Sequence, residues 1–419
     1  MKGYYVYYGE EKYPFEIPSG WRVVQNTVFE ETEVPLSLPE MVKKALAAPI
    51  SSPRLSEIVC EESKVALMVD DWTRSTPVSR VLPAVLEELH SGGVKRENVD
   101  IVVALGTHQP MPQQAIANRI GEAVFQEYRV TQHDCHAEDL VPIGRLSTGG
   151  EVKINPIVAQ ADVRIGVGSI VPHHITGFGG GAKIIMPGIS NFEAVKEHHL
   201  RFTLQPDCYI GHLETNPAYQ ENCRLAEMSR LTFVVNCVYN SRATVADVVA
   251  GHFQKAHLAG AERSKENYGF RLDEPADVTI TSAYPYLEGP QVVKPVVSAS
   301  LSATKPGGTV IIVAASRSPL PESMLAAFDA VYSGAARKEG SAFFSPALIY
   351  VPASVARNSI IMVSRDLDEK SITRLGFRYA DSLEEAIEQE SRVRPKATVN
   401  IFPIGGLLLP LAKEPPVYE

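Results

Sequence analysis

Several histidines of the chain stand where a side chain could do chemistry. His108, His173 and His174 lie in two polar loops, and His198 and His199 end a predicted helix. The imidazole pKa lies near neutrality, so two histidines on opposite sides of a substrate can exchange the roles of proton donor and acceptor. Such a pair suits a reaction in which one carbon is approached from both faces. The alternative for any single loop histidine is a solvated or capping residue.

The segment 70–77 (DDWTRSTP) combines carboxylates with an arginine. The planar guanidinium of Arg74 matches a carboxylate ligand, and the neighbouring Asp71 could lock its orientation. The alternative is a helix N-terminus, with a serine or threonine ahead of the proline in the first turn. Both interpretations can hold together.

A glycine-rich stretch, GFGGGAK, runs from Gly177 to Lys183. Glycines let a backbone approach a phosphate closely, and a following helix N-terminus would favour the anion. The stretch is neither a P-loop nor a GxGxxG fingerprint. A tight turn between a strand and a helix, with a surface lysine, is the alternative.

Gln291 and Lys294 begin a predicted helix over 291–303. Residues three apart share a helical face, so the amide and the cation can point into one site. This combination suits recognition of a carboxylate with an adjacent hydroxyl. A solvated helix face is the alternative.

Short apolar strands precede three of these polar loops. Strands predicted at Val65–Val69, Asp100–Leu105 and Val163–Val167 lead into DDWTR, GTHQP and PHHITGFGGG, with helices predicted at Val78–His90 and Met111–Tyr128. Alternating strands and helices indicate βα units on a mainly parallel sheet. Ligands of such sheets bind outside the carboxyl ends of the strands, so the three loops are expected to form one site.

The length of the chain and a second series of strands predict two α/β domains with mainly parallel sheets. The polar stretch around Lys265–Glu274 is the candidate boundary, and Asp381–Val393 is a predicted helix with Ser382 as its N-cap. The expected domains are an N-terminal one at 1–272, which 400–419 could complete, and a C-terminal one at 273–399.

The composition excludes several classes of partner. A formal net charge of −9 and a pI near 5.7 argue against nucleic acid and anionic membranes. No signal peptide or membrane span is predicted. The five cysteines are scattered, as expected of free thiols in a reducing cytoplasm, and the cluster His133–His136 (HDCH) is interpreted as structural.

Taken in order, DDWTRSTP, ALGTHQPM, PHHITGFGGGAKIIMPGIS, EHHL and PQVVK resemble the signature segments of the nickel-dependent lactate racemase family. The likeness runs from about Val65 to Lys294 and continues more weakly towards the C-terminus. It implies two α/β domains, of which the N-terminal one binds the cofactor, with the active site in the cleft between them. It also implies a nickel-pincer nucleotide, a nicotinate-derived mononucleotide whose two sulfur atoms and ring carbon hold nickel.

The resemblance implies roles for individual residues. Lys183 matches the lysine that carries the cofactor covalently, and His199 matches the nickel ligand, with His198 as the alternative. His108 and His173 match the paired acid/base histidines. The other implied contacts are to the substrate from Asp71, Arg74, Gln291, Lys294 and His174, and to the cofactor from Thr73, Gly177, Gly179, Gly180 and Gly181.

The implied reaction inverts C2 of a small 2-hydroxy acid through a 2-keto acid. One histidine removes the hydroxyl proton while the C2 hydride moves to the cofactor, and the opposite histidine returns a proton after the hydride returns on the other face. Enzymes of cofactor biosynthesis are the implied partners, and the oligomeric state is left open.

The chain departs from the family pattern at Ala182, Ser75 and His174, where a basic residue, a proline and an aromatic residue are usual. These departures favour a larger or more polar substrate than lactate, such as an aldonic acid. A nicotinamide-dependent 2-hydroxy acid dehydrogenase is one alternative, disfavoured because no GxGxxG follows the first strand. A non-catalytic pincer-binding homologue is another, disfavoured because binding alone does not need both His108 and His173.

Overall fold

The computed structural model divides the described part of the chain into two compact units. The histidine unit, so called because it holds His108 and His173, comprises residues 34–240 and 244–267. The C-terminal unit comprises residues 3–29, 241–243, 268–335 and 345–411. Each unit is built around its own six-stranded sheet and its own apolar core.

Strands and helices alternate through most of the described chain. The strands are β1 (Tyr4–Tyr8), β2 (Glu11–Phe15), β3 (Trp21–Asn26), β4 (Val65–Asp70), β5 (Val99–Ala104), β6 (Arg129–Gln132), β7 (Val141–Arg145), β8 (Glu151–Ile154), β9 (Val163–Ile170), β10 (Pro172–His173), β11 (Gly177–Phe178), β12 (Phe233–Tyr239), β13 (Val245–Gly251), β14 (Ala276–Ser282), β15 (Thr304–Val313), β16 (Ser359–Val363), β17 (Arg378–Ala380) and β18 (Ala397–Phe402). The α-helices are α1 (Leu38–Ala47), α2 (Leu55–Ile58), α3 (Val78–Ser91), α4 (Gln113–Ile120), α5 (Glu122–Glu127), α6 (Pro156–Gln160), α7 (Phe192–Phe202), α8 (Pro217–Met228), α9 (Phe253–Tyr268), α10 (Lys294–Ser298), α11 (Glu322–Tyr332), α12 (Ala347–Arg357), α13 (Glu369–Arg374) and α14 (Leu383–Val393). None of the described helices is both long enough and apolar enough to cross a membrane.

The sheet of the histidine unit has the order β13-β12-β9-β4-β5-β6. Its neighbouring strands are parallel except β12 and β13. All of β9 and all but the last residue of β4 are buried, as is usual for the central strands of a parallel sheet. The three strands expected from the sequence in this region are confirmed, and α3 ends just before Gly92 as predicted.

The prediction of a single helix over Met111–Tyr128 is wrong. The chain forms α4 and α5 instead, with a break at Gly121. The φ of this glycine is 94°, a left-handed value that ends α4 and lets α5 start in a new direction.

The C-terminal unit contains a sheet of order β17-β16-β15-β14-β18-β3, parallel throughout. The helix expected at Asp381–Val393 is confirmed as α14, and the Ser382 side chain accepts a hydrogen bond of 3.1 Å from the backbone N–H of Glu385. The mixed α/β class with mainly parallel sheets is therefore correct.

The helix expected over 291–303 consists of three consecutive segments of different helix type. A 3₁₀ turn at Gly289–Val293 precedes α10, and a π turn at Ala299–Ala303 follows it. Pro295 accounts for the change at α10, because a proline is tolerated in the first turn of an α-helix and would break a helix that began at residue 291.

The expected division into domains at 1–272 and 273–399 assigns the N-terminal residues to the first domain, whereas in the structure they belong to the C-terminal unit. Strand β3 pairs in parallel with β18, and Val6 and Phe15 are buried in the core of the C-terminal unit. Residues 3–29 and 400–411 therefore belong to the C-terminal unit. The sequence did not indicate this, because pairing between strands so far apart along the chain leaves no local signal. Residues 412–419 lie outside the described part of the chain. The change from the histidine unit to the C-terminal unit falls between 267 and 268, inside the polar stretch 265–274.

Candidate active site

Three polar loops of the histidine unit lie at one edge of its sheet. They follow β4, β5 and β9, which are adjacent and parallel in the order β9-β4-β5. Carboxyl ends of parallel strands lie at the same edge, where ligands of such sheets bind. Asp71, His108 and His173 are thus brought to one edge, as the sequence predicted.

His108 is held by the buried carboxylate of Asp71. The distance from Nδ1 of His108 to Oδ2 of Asp71 is 2.5 Å, and the Asp71 residue is only 2% exposed. A carboxylate in this position accepts the Nδ1 proton, so the neutral imidazole carries its lone pair on Nε2. His108 is therefore oriented and prepared to accept a proton at Nε2.

Asp71 is hydrogen-bonded within its own loop, and the substrate contact expected from the sequence stays a prediction. Its Oδ1 accepts hydrogen bonds from the backbone N–H and the hydroxyl of Thr73, at 3.0 and 2.6 Å. Arg74 donates to the same hydroxyl oxygen at 2.9 Å. Burial alone would raise the pKa of Asp71, but the charge and hydrogen bond of His108 outweigh it and lower the pKa below its ordinary value.

His173 is held by backbone amides rather than by a carboxylate. It pairs with Gly177 in the small hairpin of β10 and β11, and the N–H groups of Ile175 and Thr176 lie 3.2 and 3.3 Å from its Nδ1. A backbone N–H can only donate, so Nδ1 accepts and the neutral ring carries its proton on Nε2. That Nε2 lies 3.3 Å from Nζ of Lys183.

Lys183 is a half-buried lysine with an unusual pKa. Burial first, and the nearby charge of Arg74 second, lower its pKa from 10.5 to about 7. A lysine with this pKa is partly a neutral amine at neutral pH, which is the form that reacts as a nucleophile. The same neutral form can accept the Nε2 proton of His173.

His199 and His198 end α7 in different surroundings. Nδ1 of His199 lies 2.8 Å from the carbonyl oxygen of Val195, so it donates there and leaves Nε2 as the lone-pair atom. Burial, then the charges of Lys183 and His108 among others, lower the pKa of His199 to about 3. His198 packs against the ring of Phe202, 4.9 Å between centroids, and burial lowers its pKa well below the ordinary value of histidine.

The glycines of the loop are required by the packing of the protein itself. A Cβ at Gly177 would lie 2.1 Å from the carbonyl oxygen of His212, and one at Gly181 would lie 2.7 Å from the ring of His257. The N–H of Gly181 already donates to Asn236, and that of Gly179 donates to the backbone. A Cβ at Gly180 would meet the carbonyl oxygen of Ser169. The packing reason for these glycines therefore has direct support, whereas the contacts to a phosphate stay a prediction.

His257 is a residue of this region that the sequence analysis did not single out. Its Nε2 bonds the carbonyl oxygen of Gly179 at 2.9 Å, and its ring stacks on Tyr219. Burial lowers its pKa to about 4, so it is a neutral support for the glycine loop. A histidine inside a helix gives no local signal of such a role.

The predicted site residues of the C-terminal unit follow the carboxyl end of β14. Gln291 is 6% exposed, and its Oε1 has no hydrogen-bond partner among the described residues. Nζ of Lys294 lies 5.1 Å from the ring centre of Tyr286. These residues and the half-buried His174 stay predictions for substrate binding. Across the described chain, no three His, Cys, Asp or Glu side chains are grouped as ligands of a metal.

A separate cavity of about 400 Å³ lies in the C-terminal unit. Aromatic side chains dominate its wall, together with Lys12 and Arg242. None of the site residues predicted from the sequence lines it. The hydrogen bonds of His108 and His173 and the lowered pKa of Lys183 therefore identify the candidate site.

Comparisons with known proteins identify the family of this chain. A family model described as the lactate racemase N-terminal domain matches residues 8–211. A lactate racemase of Thermoanaerobacterium thermosaccharolyticum is 32% identical over 314 residues, which cover 73% of this chain and 73% of that protein. This chain belongs to the lactate racemase family.

Other members of the lactate racemase family extend the likeness to nearly the whole chain. A lactate racemase of Lactiplantibacillus plantarum is 27% identical over 383 residues, covering 88% of this chain and 90% of that protein. The structure of the lactate racemase apoprotein from T. thermosaccharolyticum superposes with a TM-score of 0.84 at 27% identity, over 98% of this chain and all of that one. A Thermotoga maritima protein shares the fold, with a TM-score of 0.67 at 20% identity over 91% of this chain and 99% of that one. The resemblance read from the sequence is confirmed, and it places the chain among isomerases.

Proposed function

We propose that this chain inverts C2 of a 2-hydroxy acid, as a racemase or epimerase, with a nickel-pincer nucleotide as its cofactor. The observation that carries the proposal is the difference between the hydrogen-bond partners of His108 and His173. Nδ1 of His108 faces a carboxylate, whereas Nδ1 of His173 faces two backbone amides. One ring is set to accept a proton at Nε2 and the other to donate one, as inversion requires.

The two histidines would act in turn on the substrate oxygen. Nε2 of His108 accepts the hydroxyl proton while C2 loses a hydride with its electron pair, which leaves a 2-keto acid. After the hydride returns to the opposite face of C2, Nε2 of His173 gives its proton to the substrate oxygen. The product has the inverted configuration, and the reverse reaction exchanges the two roles.

Lys183 and His199 have the chemistry needed to hold the cofactor. A pKa of about 7 gives Lys183 an amine able to form a covalent bond near neutral pH. His199 is neutral and has Nδ1 bonded to a backbone carbonyl, an arrangement common among histidines that bind a metal through the other nitrogen. His199 would thus be the residue that binds the nickel of the cofactor. When bound, the cofactor would supply the acceptor and donor of the C2 hydride.

Asp71 and Thr73 are proposed as positioning residues rather than as ligand contacts. Both oxygens of Asp71 are engaged by His108 and Thr73, and the Thr73 hydroxyl is engaged by Asp71 and Arg74. Arg74 is proposed to attract the substrate carboxylate, because its charge already acts at Lys183. The four loop glycines are proposed to shape the turn that presents Lys183.

Gln291, Lys294 and His174 are proposed to bind the substrate. A buried amide oxygen without a partner among the described residues is costly unless a ligand donates to it, so Gln291 suits a hydroxylated substrate. Lys294 offers a cation for a carboxylate. The polar ring of His174 favours an acid larger or more polar than lactate, such as an aldonic acid.

A screen of single stereoisomers tests the proposal. The chain is produced together with the enzymes that make the cofactor, and is then incubated without NAD with enantiopure 2-hydroxy acids and aldonic acids. Chiral chromatography should show the opposite configuration at C2. Oxidation that requires added NAD would indicate a dehydrogenase, and no reaction with bound cofactor would indicate a binding homologue.

Substrate carrying deuterium at C2 tests the hydride step within the same screen. A hydride that leaves and returns without meeting water retains the deuterium in the product. Loss of the deuterium to solvent would contradict hydride transfer and would indicate removal of the C2 proton by a base.

A further inference from the structure

A buried arginine fastens both ends of the loop that carries Asp71. Arg119, on α4, has a side chain that is only 11% exposed. Its Nε donates to the carbonyl oxygen of Asp70 at 3.1 Å, and its Nη1 donates to that of Arg74 at 3.0 Å. Its Nη2 is paired with the Asp70 carboxylate. Asp71 and Thr73 lie between these two fixed points.

A series of hydrogen bonds runs from the Asp70 carboxylate towards the strand that leads to His173. The Thr76 hydroxyl lies 2.5 Å from Oδ2 of Asp70 and 2.6 Å from the hydroxyl of Ser169, and Tyr239 lies 3.1 Å beyond Ser169. A carboxylate only accepts, so the three hydroxyls donate in sequence towards Asp70. Ser169 stands near the end of β9, four residues before His173.

We infer that Arg119, Asp70, Thr76 and Ser169 form a positioning chain that fixes the loop of Asp71 relative to the strand that leads to His173. This inference rests on the proposed function, because it assigns the chain a role in placing the two acid/base histidines. None of the four is assigned to the substrate or the cofactor. Their effect passes through Asp71 on one side and β9 on the other.

The chemistry of the chain supports a role in geometry rather than in stability alone. Thr76 and Ser169 are 1% and 7% exposed, and the Asp70–Arg119 pair is largely buried. Apolar residues of similar volume can often replace a buried ion pair without loss of stability. The guanidinium of Arg119, which donates to two backbone carbonyls, in addition fixes the geometry of the loop that carries Asp71.

The test compares Arg119→Met with Arg164→Met. Arg164 is a matched control, because it is also buried and donates to two backbone carbonyls, those of Val158 and Ala159, at the amino end of β9. We expect Arg119→Met to lower kcat by about 10- to 100-fold with little change in KM, since small misplacements of acid/base groups cost this much. Arg164→Met with native packing should keep the wild-type kcat.

A second readout does not depend on turnover. The Nδ1 proton shared by His108 and Asp71 should resonate far downfield in proton NMR spectra of the full chain, and Arg119→Met should shift or broaden it while Arg164→Met leaves it in place. If no acid is turned over by the wild type, the proposed function fails, yet this resonance still decides whether Arg119 positions the dyad.

Three further variants keep the inference testable if Arg119→Met does not fold. The double variant Asp70→Leu/Arg119→Met removes both charges together, and it should show the same loss of kcat and the same change in the proton signal. Thr76→Val and Ser169→Ala each cut the link to β9, so their effects on kcat should be less than additive in combination. Wild-type kcat and an unchanged His108 proton in the folded Arg119 variants would overturn the inference.

Discussion

The loop after β5 and the hairpin after β9 both present a histidine, but they hold it by opposite chemical groups. His108 bonds a side-chain carboxylate, whereas His173 accepts from two main-chain amides. A carboxylate can be removed by one substitution, whereas the amides belong to every sequence that folds into this hairpin. The comparison teaches that the proposed proton acceptor, His108, depends on one neighbouring side chain, whereas the proposed proton donor, His173, depends on the shape of the backbone.

The largest effect is expected from Lys183, whose Nζ lies 3.3 Å from Nε2 of His173. Lys183→Ala removes the amine proposed to bind the cofactor covalently, so the chain should lose the cofactor and all turnover. Mass spectrometry of the intact protein measures the bound cofactor. Full retention of the cofactor by the variant would reduce Lys183 to a residue of the turn.

Next in size are the losses expected from the histidines themselves. His108→Ala and His173→Ala should each lower kcat by about 10²- to 10⁴-fold, the usual contribution of a general acid or base. Nickel content, measured by elemental analysis, should stay near that of the wild type in both. A variant that loses nickel would identify its histidine as a metal ligand.

Asp71→Asn changes the side chain that holds His108, the proposed proton acceptor. An asparagine can donate to Nδ1 of His108 and thus favour the wrong tautomer, so kcat should fall by roughly 10- to 10³-fold. The KM should change less than kcat, because Asp71 is proposed to touch His108 and not the substrate. A change confined to KM would restore Asp71 to the substrate contacts predicted from the sequence.

The pKa of Lys183 predicts a dependence of stability on pH. Between about 7 and 10.5 the unfolded chain keeps a proton on this lysine that the folded chain has lost. The free energy of unfolding should therefore gain a contribution that rises with pH across this window. Urea unfolding of the cofactor-free wild type and of Lys183→Met, compared from pH 6 to 10 (about four units), measures it. Parallel profiles for the two proteins would contradict the lowered pKa.

Thr176→Val is expected to give the smallest effect and is the counterpart of Asp71→Asn. It removes a hydroxyl 3.2 Å from Nδ1 of His173 but keeps both amides, so kcat should change by less than about threefold. Steady-state kinetics of the folded variant measure this. A loss as large as that of Asp71→Asn would show that side chains set both histidines.

Much of the sheet and part of the site could be predicted from the sequence. The strands predicted at Val65–Val69, Asp100–Leu105 and Val163–Val167 carry their own signal, and polar loops after parallel strands converge at one edge. The resemblance added the pairing of His108 with His173, and the structure places both on that edge.

Other features depend on contacts between residues far apart in sequence. Arg119 reaches Asp70 across 49 positions, and β3 pairs with β18 from the opposite end of the chain. The glycine loop suggested a phosphate site, which stays a prediction, whereas the packing of Gly177 against His212 and of Gly181 against His257 could not be predicted. Neither spacing nor residue type reports such neighbours.

The opposed tautomers of His108 and His173 can be measured directly by nitrogen NMR. The chain is labelled with ¹⁵N-histidine, and the two rings are assigned from His108→Ala and His173→Ala. Near neutral pH, the unprotonated nitrogen should be Nε2 in His108 and Nδ1 in His173. The same tautomer in both rings would contradict the proposed division of proton acceptor and proton donor.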